Sequence, residues 1–288
     1  MIRLATRSSA QARTQAEVVA QSITSATGLP VELVFVETLG DQNKDQPLHQ
    51  IGGQGIFVKE VQQAVLRGDA DIAVHSAKDL PSQHAEGLVI GAWCERRDAR
   101  DALVGRSLSD LELGATVATG SVRRRAQLIT VRPDLQFVEL RGNIHTRLEK
   151  IPNNGSIVMA IAAMQVLGIT DRIAEELVTT DFVPMVGQGC VAVECREGDS
   201  NTLAAVSSID HARTRFAVEI ERAFLAELGA GCSMPVGAYV NEANVLSTFM
   251  ATGATNSDRH VKFVETVPPV DAHEFARELA RKSQSALA

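Results

Sequence analysis

Aromatic side chains are scarce in this 288-residue chain, which has nine Phe, one Trp (Trp93) and one Tyr (Tyr239). Platforms on which nucleic-acid bases stack are correspondingly few. Positive charge is not in excess either. The 28 Lys and Arg stand against 35 Asp and Glu, a formal net charge of −7, whereas a nucleic-acid binder leans basic. Long apolar runs are missing: Ile157 to Met164 is the longest, at eight residues, and a membrane-spanning helix needs about 20. The opening Met1-Ile-Arg-Leu-Ala-Thr-Arg7 lacks the apolar stretch of a secretory signal. The expectation is a cytoplasmic protein with neither a nucleic-acid nor a membrane partner. The four cysteines (Cys94, Cys190, Cys195, Cys232) form no CxxC pair and have no His at zinc-finger spacing. A disulfide scaffold does not suit this size and compartment. The seven His make no HExxH, and no GxxxxGK occurs, so neither a metal site nor a nucleotide loop is expected.

What is present is ordinary core-forming composition, 45% hydrophobic and 22% charged, enough for about two domains. The first third alternates strand and helix signals. Ile2–Thr6 reads as a strand, and Ser9–Ala26 as a helix with Ala12, Ala16, Val19 and Ile23 on one face. Val31–Glu37 reads as a strand, Ile56–Arg67 as a helix, and Asp71–His75 and Leu88–Trp93 as strands. Between them lies a polar loop, Thr38–Gly55, whose Gly52-Gly-Gln-Gly55 lacks the third glycine of GxGxxG and reads as a lid. This βαβ grammar predicts a mostly parallel sheet. After a charged break at residues 95–101 the alternation restarts. Strands are expected at 115–118, 136–140 and 156–161, and helices at 121–131, 143–150 and 162–167. Residues 190–195 read as a strand returning to the first sheet. The expected architecture is α/β: two hinged lobes like those of periplasmic binding proteins, plus a small α+β C-terminal domain. Domain 1 takes residues 1–94 and 190–208, domain 2 takes 99–185, and domain 3 takes 211–288. Ligands of open α/β sheets bind outside the carboxyl ends of strands.

Chemistry-bearing residues gather at those strand ends. Ser76, Lys78 and Asp79 follow a buried strand in Val74-His-Ser-Ala-Lys-Asp79; an ordinary turn with Asp79 capping a helix before Pro81 explains them slightly better than a site does. His75 reads as a partnered interior residue. Thr119-Gly-Ser-Val-Arg-Arg-Arg125 is a strand end, a glycine turn and a helix start. Free N–H groups and the positive dipole end favour anions there and disfavour cations. Arg123 and Arg124 therefore point to an anionic ligand, phosphate or carboxylate alike. Leu140-Arg-Gly-Asn-Ile-His-Thr-Arg147 repeats the placement with Arg141 and Arg147, as does Ala5-Thr-Arg-Ser-Ser9 with Arg7. Cys232 sits in the turn Gly229-Ala-Gly-Cys-Ser-Met-Pro235, where glycines expose a thiol as a nucleophile or attachment point.

In order and spacing, ATRSS, GGQGIFVKE, DIAVHSAKDLP, TGSVRRRAQL, LRGNIHTRL, VGQG, AVECR and ERAFLAELGAGCSMPVGA resemble the porphobilinogen deaminase (hydroxymethylbilane synthase) family over nearly the whole chain. The resemblance implies a monomeric, three-domain transferase of porphyrin (haem) biosynthesis with a cleft between domains 1 and 2. It implies a dipyrromethane cofactor in thioether linkage to Cys232, on which four porphobilinogens are joined head to tail with loss of ammonia before water releases hydroxymethylbilane. It implies that Asp79 is the catalytic carboxylate. Lys78, Asp79, Ser121, Arg123, Arg124 and Arg147 are then on the cofactor. Arg7, Ser9, Ser76, Thr119, Arg141 and Gln188, with Arg147 shared, face the substrate. Gln54 and Val166 depart from cations common in relatives, and Gly120 from a commoner serine. The competing reading is an anion-binding module, which needs no reactive cysteine and forms no adduct.

Overall fold

The computed structural model describes residues 1–38, 55, 57–229 and 234–288. Along the chain come β1 (Ile2–Arg7), α1 (Ala10–Thr27), β2 (Val31–Val36), α2 (Lys59–Leu66), β3 (Ile72–Ser76) and β4 (Leu88–Trp93). There follow β5 (Asp101–Val104), β6 (Thr116–Ala118), α3 (Val122–Val131), β7 (Gln136–Val138), α4 (Ile144–Leu148), β8 (Ser156–Ala160), α5 (Ile161–Leu167) and β9 (Ile173–Leu177). The remainder is β10 (Val191–Arg196), α6 (Ser200–Ser207), α7 (Ala212–Glu227), β11 (Val236–Val240), β12 (Val245–Ala251), β13 (His260–Thr266) and α8 (Ala272–Leu287). The chain packs as two compact units. Unit 1 comprises Met1–Arg97 and Gly189–Phe216; unit 2 comprises Asp98–Gln188 and Ala217–Ala288.

Unit 1 is a five-stranded sheet in the order β2-β1-β3-β10-β4. Strand alternation sends Leu4, Ile72, Val74 and Val193 to one face, where they pack on Ala16, Val19 and Ile23 of α1 and Val206 of α6. Ala5 and Ala73 point to the other, against Val61, Ala64 and Val65 of α2. The buried residues of α1 are the expected stripe. The Ser9 hydroxyl caps its start by accepting from Ala12 N, and Gly28, at φ 73°, ends it in the left-handed region where a Cβ is costly.

Unit 2 holds a second five-stranded sheet, β7-β6-β8-β5-β9, also covered on both faces. Leu103, Val117 and Val158 meet Leu128 of α3. Val104, Ala118, Ile157 and Met159 meet Ile144 of α4 and Met164 of α5. A three-stranded antiparallel sheet, β11-β12-β13, belongs to the same unit, with the amphipathic α8 burying Ala276, Leu279, Ala280 and Leu287. Phe249 and Ala251 of β12 share an apolar cluster with Ala126 of α3 and Val183.

The expectation of mostly parallel sheets needs correction. β1 runs parallel to β2 and β3, but β10 runs antiparallel to both β3 and β4. Likewise β6 is parallel to β7 and β8, while β5 is antiparallel to β8 and β9. A parallel neighbour requires a crossover that carries the chain back to the starting edge. β5 and β10 are the first strands after the chain enters unit 2 and re-enters unit 1, and no crossover helix precedes either. β5, β9 and α6 were not among the expected elements.

Gly155 is fixed by packing rather than by turn conformation. A Cβ there would lie 1.9 Å from the carbonyl oxygen of Thr116, beside the register that pairs Val117 with Ser156. Gly155→Ala should therefore cost on the order of 1–3 kcal/mol, the range for overpacking. The urea midpoint should fall with the denaturant slope unchanged. An unshifted midpoint would mean that this strand junction yields without cost.

Candidate active-site residues

In unit 1, β3 runs straight into a 3₁₀ turn, Ala77–Asp79, followed by Leu80 and Pro81. The turn is pinned by Ala77 N donating to Cys190 O at 2.9 Å and Leu80 N to Ala77 O at 3.2 Å. Pro81 bars a helix from continuing. Asp79 therefore caps no helix: the expected turn is present, and the expected cap is not. Ser76, Lys78 and Asp79 are each half-buried. Among the described residues the Asp79 carboxylate has no hydrogen-bond or ion-pair partner. A half-shielded carboxylate at a strand's carboxyl end is free to take a donor from a ligand.

Behind the turn lies a buried charged brace. His75 Nε2 of β3 is 3.0 Å from Glu194 Oε2 of β10. Gln62 Nε2 of α2 donates to the same oxygen at 2.9 Å. Burial pushes the Glu194 carboxyl up, but the close approach of His75, with the hydrogen bonds from Gln62, outweighs it and holds the group below its ordinary value. Arg7, the last residue of β1, lies over the Phe57 ring at 4.1 Å. Ser9 is occupied as the α1 cap.

In unit 2, Thr119, Gly120 and Ser121 turn the chain from β6 into α3. Ser121 N donates to Thr119 Oγ1 at 3.2 Å, and Ser121 Oγ accepts from Arg124 N at 3.4 Å. At Gly120 the space is tight: a Cβ would stand 2.7 Å from Glu139 Oε1, the end of a flexible side chain, and 3.0 Å from Leu140 O. Asn143 caps α4 by accepting from Thr146 N. Arg147 Nε donates to Gly142 O at 2.8 Å, and Arg141 Nε lies 3.7 Å from Glu139 Oε1.

Arg123 and Arg124 are buried, 4% and 8% exposed, and their anion is supplied by the protein. Asp101, fully buried at the head of β5, accepts Arg123 Nη2 on Oδ2 at 2.7 Å. On Oδ1 it accepts Arg124 Nη2 at 2.6 Å, Arg124 Nε at 3.1 Å and Gln188 Nε2 at 2.9 Å. The expected anion at this helix start is supplied in part by the protein, because Asp101 offsets one of the two arginines. Burial pushes the Asp101 carboxyl up, but the two guanidinium charges and their hydrogen bonds prevail and hold it well below the carboxylate range. Arg123 Nη1 and Gln127 Nε2 both donate to Val183 O, at 2.7 and 3.0 Å. Arg123 Nε is buried with no hydrogen-bond partner. Two positive charges face one negative.

Acid should expose both carboxylates. Their folded values lie below their unfolded ones, about 3.9 for Asp and 4.3 for Glu. The stability they contribute is complete above that range and is lost as pH falls toward the folded values. Urea midpoints should drop between pH 5 and pH 3, and Glu194→Gln should flatten the slope. A slope as steep in Glu194→Gln as in the parent would remove Glu194 from this account.

Cys232 and Gln54 lie outside the described residues. The other cysteines are poor nucleophiles. Cys190 and Cys195 are buried. Burial, then the nearby Asp210 charge, pushes the Cys94 thiol up to about 12. Burial likewise raises Cys195. Among the described residues, no helix is long and apolar enough to cross a membrane.

Two family models match the chain in sequence order. The porphobilinogen deaminase dipyrromethane cofactor binding domain matches residues 2–204, and the porphobilinogen deaminase C-terminal domain matches residues 215–282. A porphobilinogen deaminase of Thermobifida fusca (strain YX) is 42% identical over 291 aligned positions, covering 97% of this chain and 91% of the relative. One from Geotalea uraniireducens (strain Rf4) is 42% identical over 243, covering 83% and 76%. Among solved structures, the methionine binding protein MetQ aligns with a TM-score of 0.47 at 16% identity, over 74% of this chain and 91% of its own.

Proposed function

This chain belongs to the porphobilinogen deaminase family, and we propose that it joins four porphobilinogens head to tail on a dipyrromethane primer tethered through a thioether to Cys232. Each addition releases one ammonia, and one water releases hydroxymethylbilane, so four ammonia leave per product. The chain is a transferase of the hydroxymethylbilane synthase type. It is read further as a monomer in the cytoplasm, with no nucleic-acid or membrane partner. Residues 1–94 with 190–208, 99–185 and 211–288 serve as its three domains.

The residues suit the cofactor. A dipyrromethane of this kind carries carboxylates on both rings, and the Asp101 cluster has one guanidinium charge in excess and an unpartnered Arg123 Nε. Lys78, Ser121, Arg123, Arg124 and Arg147 would hold those carboxylates, with Arg the better fork for them. When bound, the cofactor supplies the free pyrrole position at which the chain grows. Arg7, Ser9, Ser76, Thr119, Arg141 and Gln188, with Arg147 shared, would orient the acetate and propionate of the incoming substrate. Arg123, Arg124 and Gln188 all donate to Asp101 in the structure, and Arg123 Nε is the donor atom left for a ligand.

The observation that carries the catalytic assignment is the half-buried Asp79 carboxylate, which has no partner among the described residues. Its Oδ atoms can accept pyrrole N–H donors and stabilise the positive charge that develops on the substrate as ammonia departs. They can also take the proton displaced when the new carbon–carbon bond forms. The test is ammonia release from porphobilinogen by the purified protein, with its denatured intact mass read alongside. Ammonia and a ladder of pyrrole-sized mass additions are expected. Binding of porphobilinogen with neither would leave an anion-binding module in its place.

A further inference from the structure

We propose that Asp101 is a positioning residue that neutralises one of the two guanidiniums at the head of α3 and so limits that end of unit 2 to one ligand carboxylate. The identity of the ligand rests on the function proposed above; the charge count does not. Three side chains, Arg123 and Arg124 from the turn into α3 and Gln188 from the substrate-facing set, converge on this one carboxylate. An ionised carboxylate has about four acceptor sites, and Asp101 receives four hydrogen bonds. Fully buried and held by two guanidiniums, it serves neither to move protons nor to bind substrate.

Its partners are fixed from their far side as well. Arg124 Nη1 donates to Val158 O at 2.9 Å and Arg123 Nη1 to Val183 O at 2.7 Å. Val183 is itself held from both sides by Gln127, whose Oε1 accepts Val183 N at 2.6 Å and whose Nε2 donates to Val183 O. The two guanidiniums therefore cannot move apart to relieve their repulsion, and Asp101 is the anion that lets both remain buried. What remains is one uncompensated positive charge and one guanidinium nitrogen with no hydrogen bond, Arg123 Nε. A buried charge left unpaired is costly. The cluster is thus complementary to one incoming carboxylate and has no charge for a second.

The experiment counts anions. Inorganic sulfate is titrated calorimetrically into the full-length protein at constant ionic strength, for the parent, Asp101→Asn, and the charge-balanced Asp101→Asn/Arg123→Gln. Asp101→Asn should take up one more sulfate per chain than the parent. That sulfate should bind about tenfold tighter than any on the parent, the worth of one charge-assisted hydrogen bond. The double variant should return to the parent count. A residue that merely held the fold would not add an anion when neutralised. A folded Asp101→Asn with no added sulfate overturns the proposal. If Asp101→Asn does not fold, recovery of folding in the double variant supports it, and failure of both variants overturns it. A parent that carries no adduct and releases no ammonia would overturn the proposed function, while the sulfate count would still decide the role of Asp101.

Discussion

Asp79→Asn should keep the covalent cofactor and lose elongation by roughly 10²–10⁴-fold, the usual worth of a positioned acid–base group. The two side chains have nearly the same shape, so the 3₁₀ turn held by Ala77 N and Leu80 N should survive. No internal partner is abandoned, since none of the described residues bonds the Asp79 carboxylate. Stability should therefore move by a few tenths of a kcal/mol, as for a surface change away from any network. What is removed is the charge facing the substrate. The asparagine oxygen can still accept one pyrrole N–H, so KM for porphobilinogen should change much less than kcat. Single-turnover ammonia release and intact mass, read on the same sample, separate the outcomes. Near-parent turnover with the adduct in place would show that Asp79 is not the group that manages charge and protons. A lost adduct with a native thermal midpoint would move its role to cofactor assembly.

The placement of Lys78 and Asp79 in a turn at a strand end was legible because local signals suffice there: an apolar strand, a break at Pro81 and charged residues between. The α1 stripe was legible for the same reason, with cap, period and terminal glycine all within one segment. Asp101 was not. It reads as the last residue of a charged break, yet it opens β5 with its side chain fully buried. Only the placement of β5 against the start of α3, 22 and 23 positions along, gives it two arginines. Glu194 was hidden in the same way. Its partners His75 and Gln62 lie more than a hundred positions earlier, and only the antiparallel entry of β10 beside β3 brings them together. Periodicity reports which face a residue takes; it does not report which strand becomes its neighbour. The anion signal at α3 was real in sign, and its first recipient turned out to be a protein carboxylate.

Cys232→Ser should abolish cofactor attachment outright, whereas Cys94→Ala, Cys190→Ala and Cys195→Ala should each retain it. A thioether forms through a thiolate or a readily deprotonated thiol, and serine offers neither. The other three cysteines are disqualified by their surroundings. Cys195 is fully buried within β10 and raised by burial, and Cys94 is pushed up to about 12, so neither holds an accessible thiolate at neutral pH. Cys190 is buried, with Sγ 3.6 Å from Cys94 O and 3.4 Å from Val191 O. Truncating any of them removes one small sulfur, buried at Cys190 and Cys195 and partly buried at Cys94, which costs stability but no attachment point. The decisive reading is the denatured mass of the parent against each variant. An excess equal to two condensed pyrrole units should appear in the parent and in the three alanine variants, and be absent in Cys232→Ser. An adduct that persists in Cys232→Ser and vanishes with one of the others would relocate the tether, and with it the part given to the C-terminal domain. If all five masses are bare, incubation with porphobilinogen decides the matter. Adducts that then form on every chain except Cys232→Ser identify an enzyme isolated without its primer, and their continued absence favours the binding module.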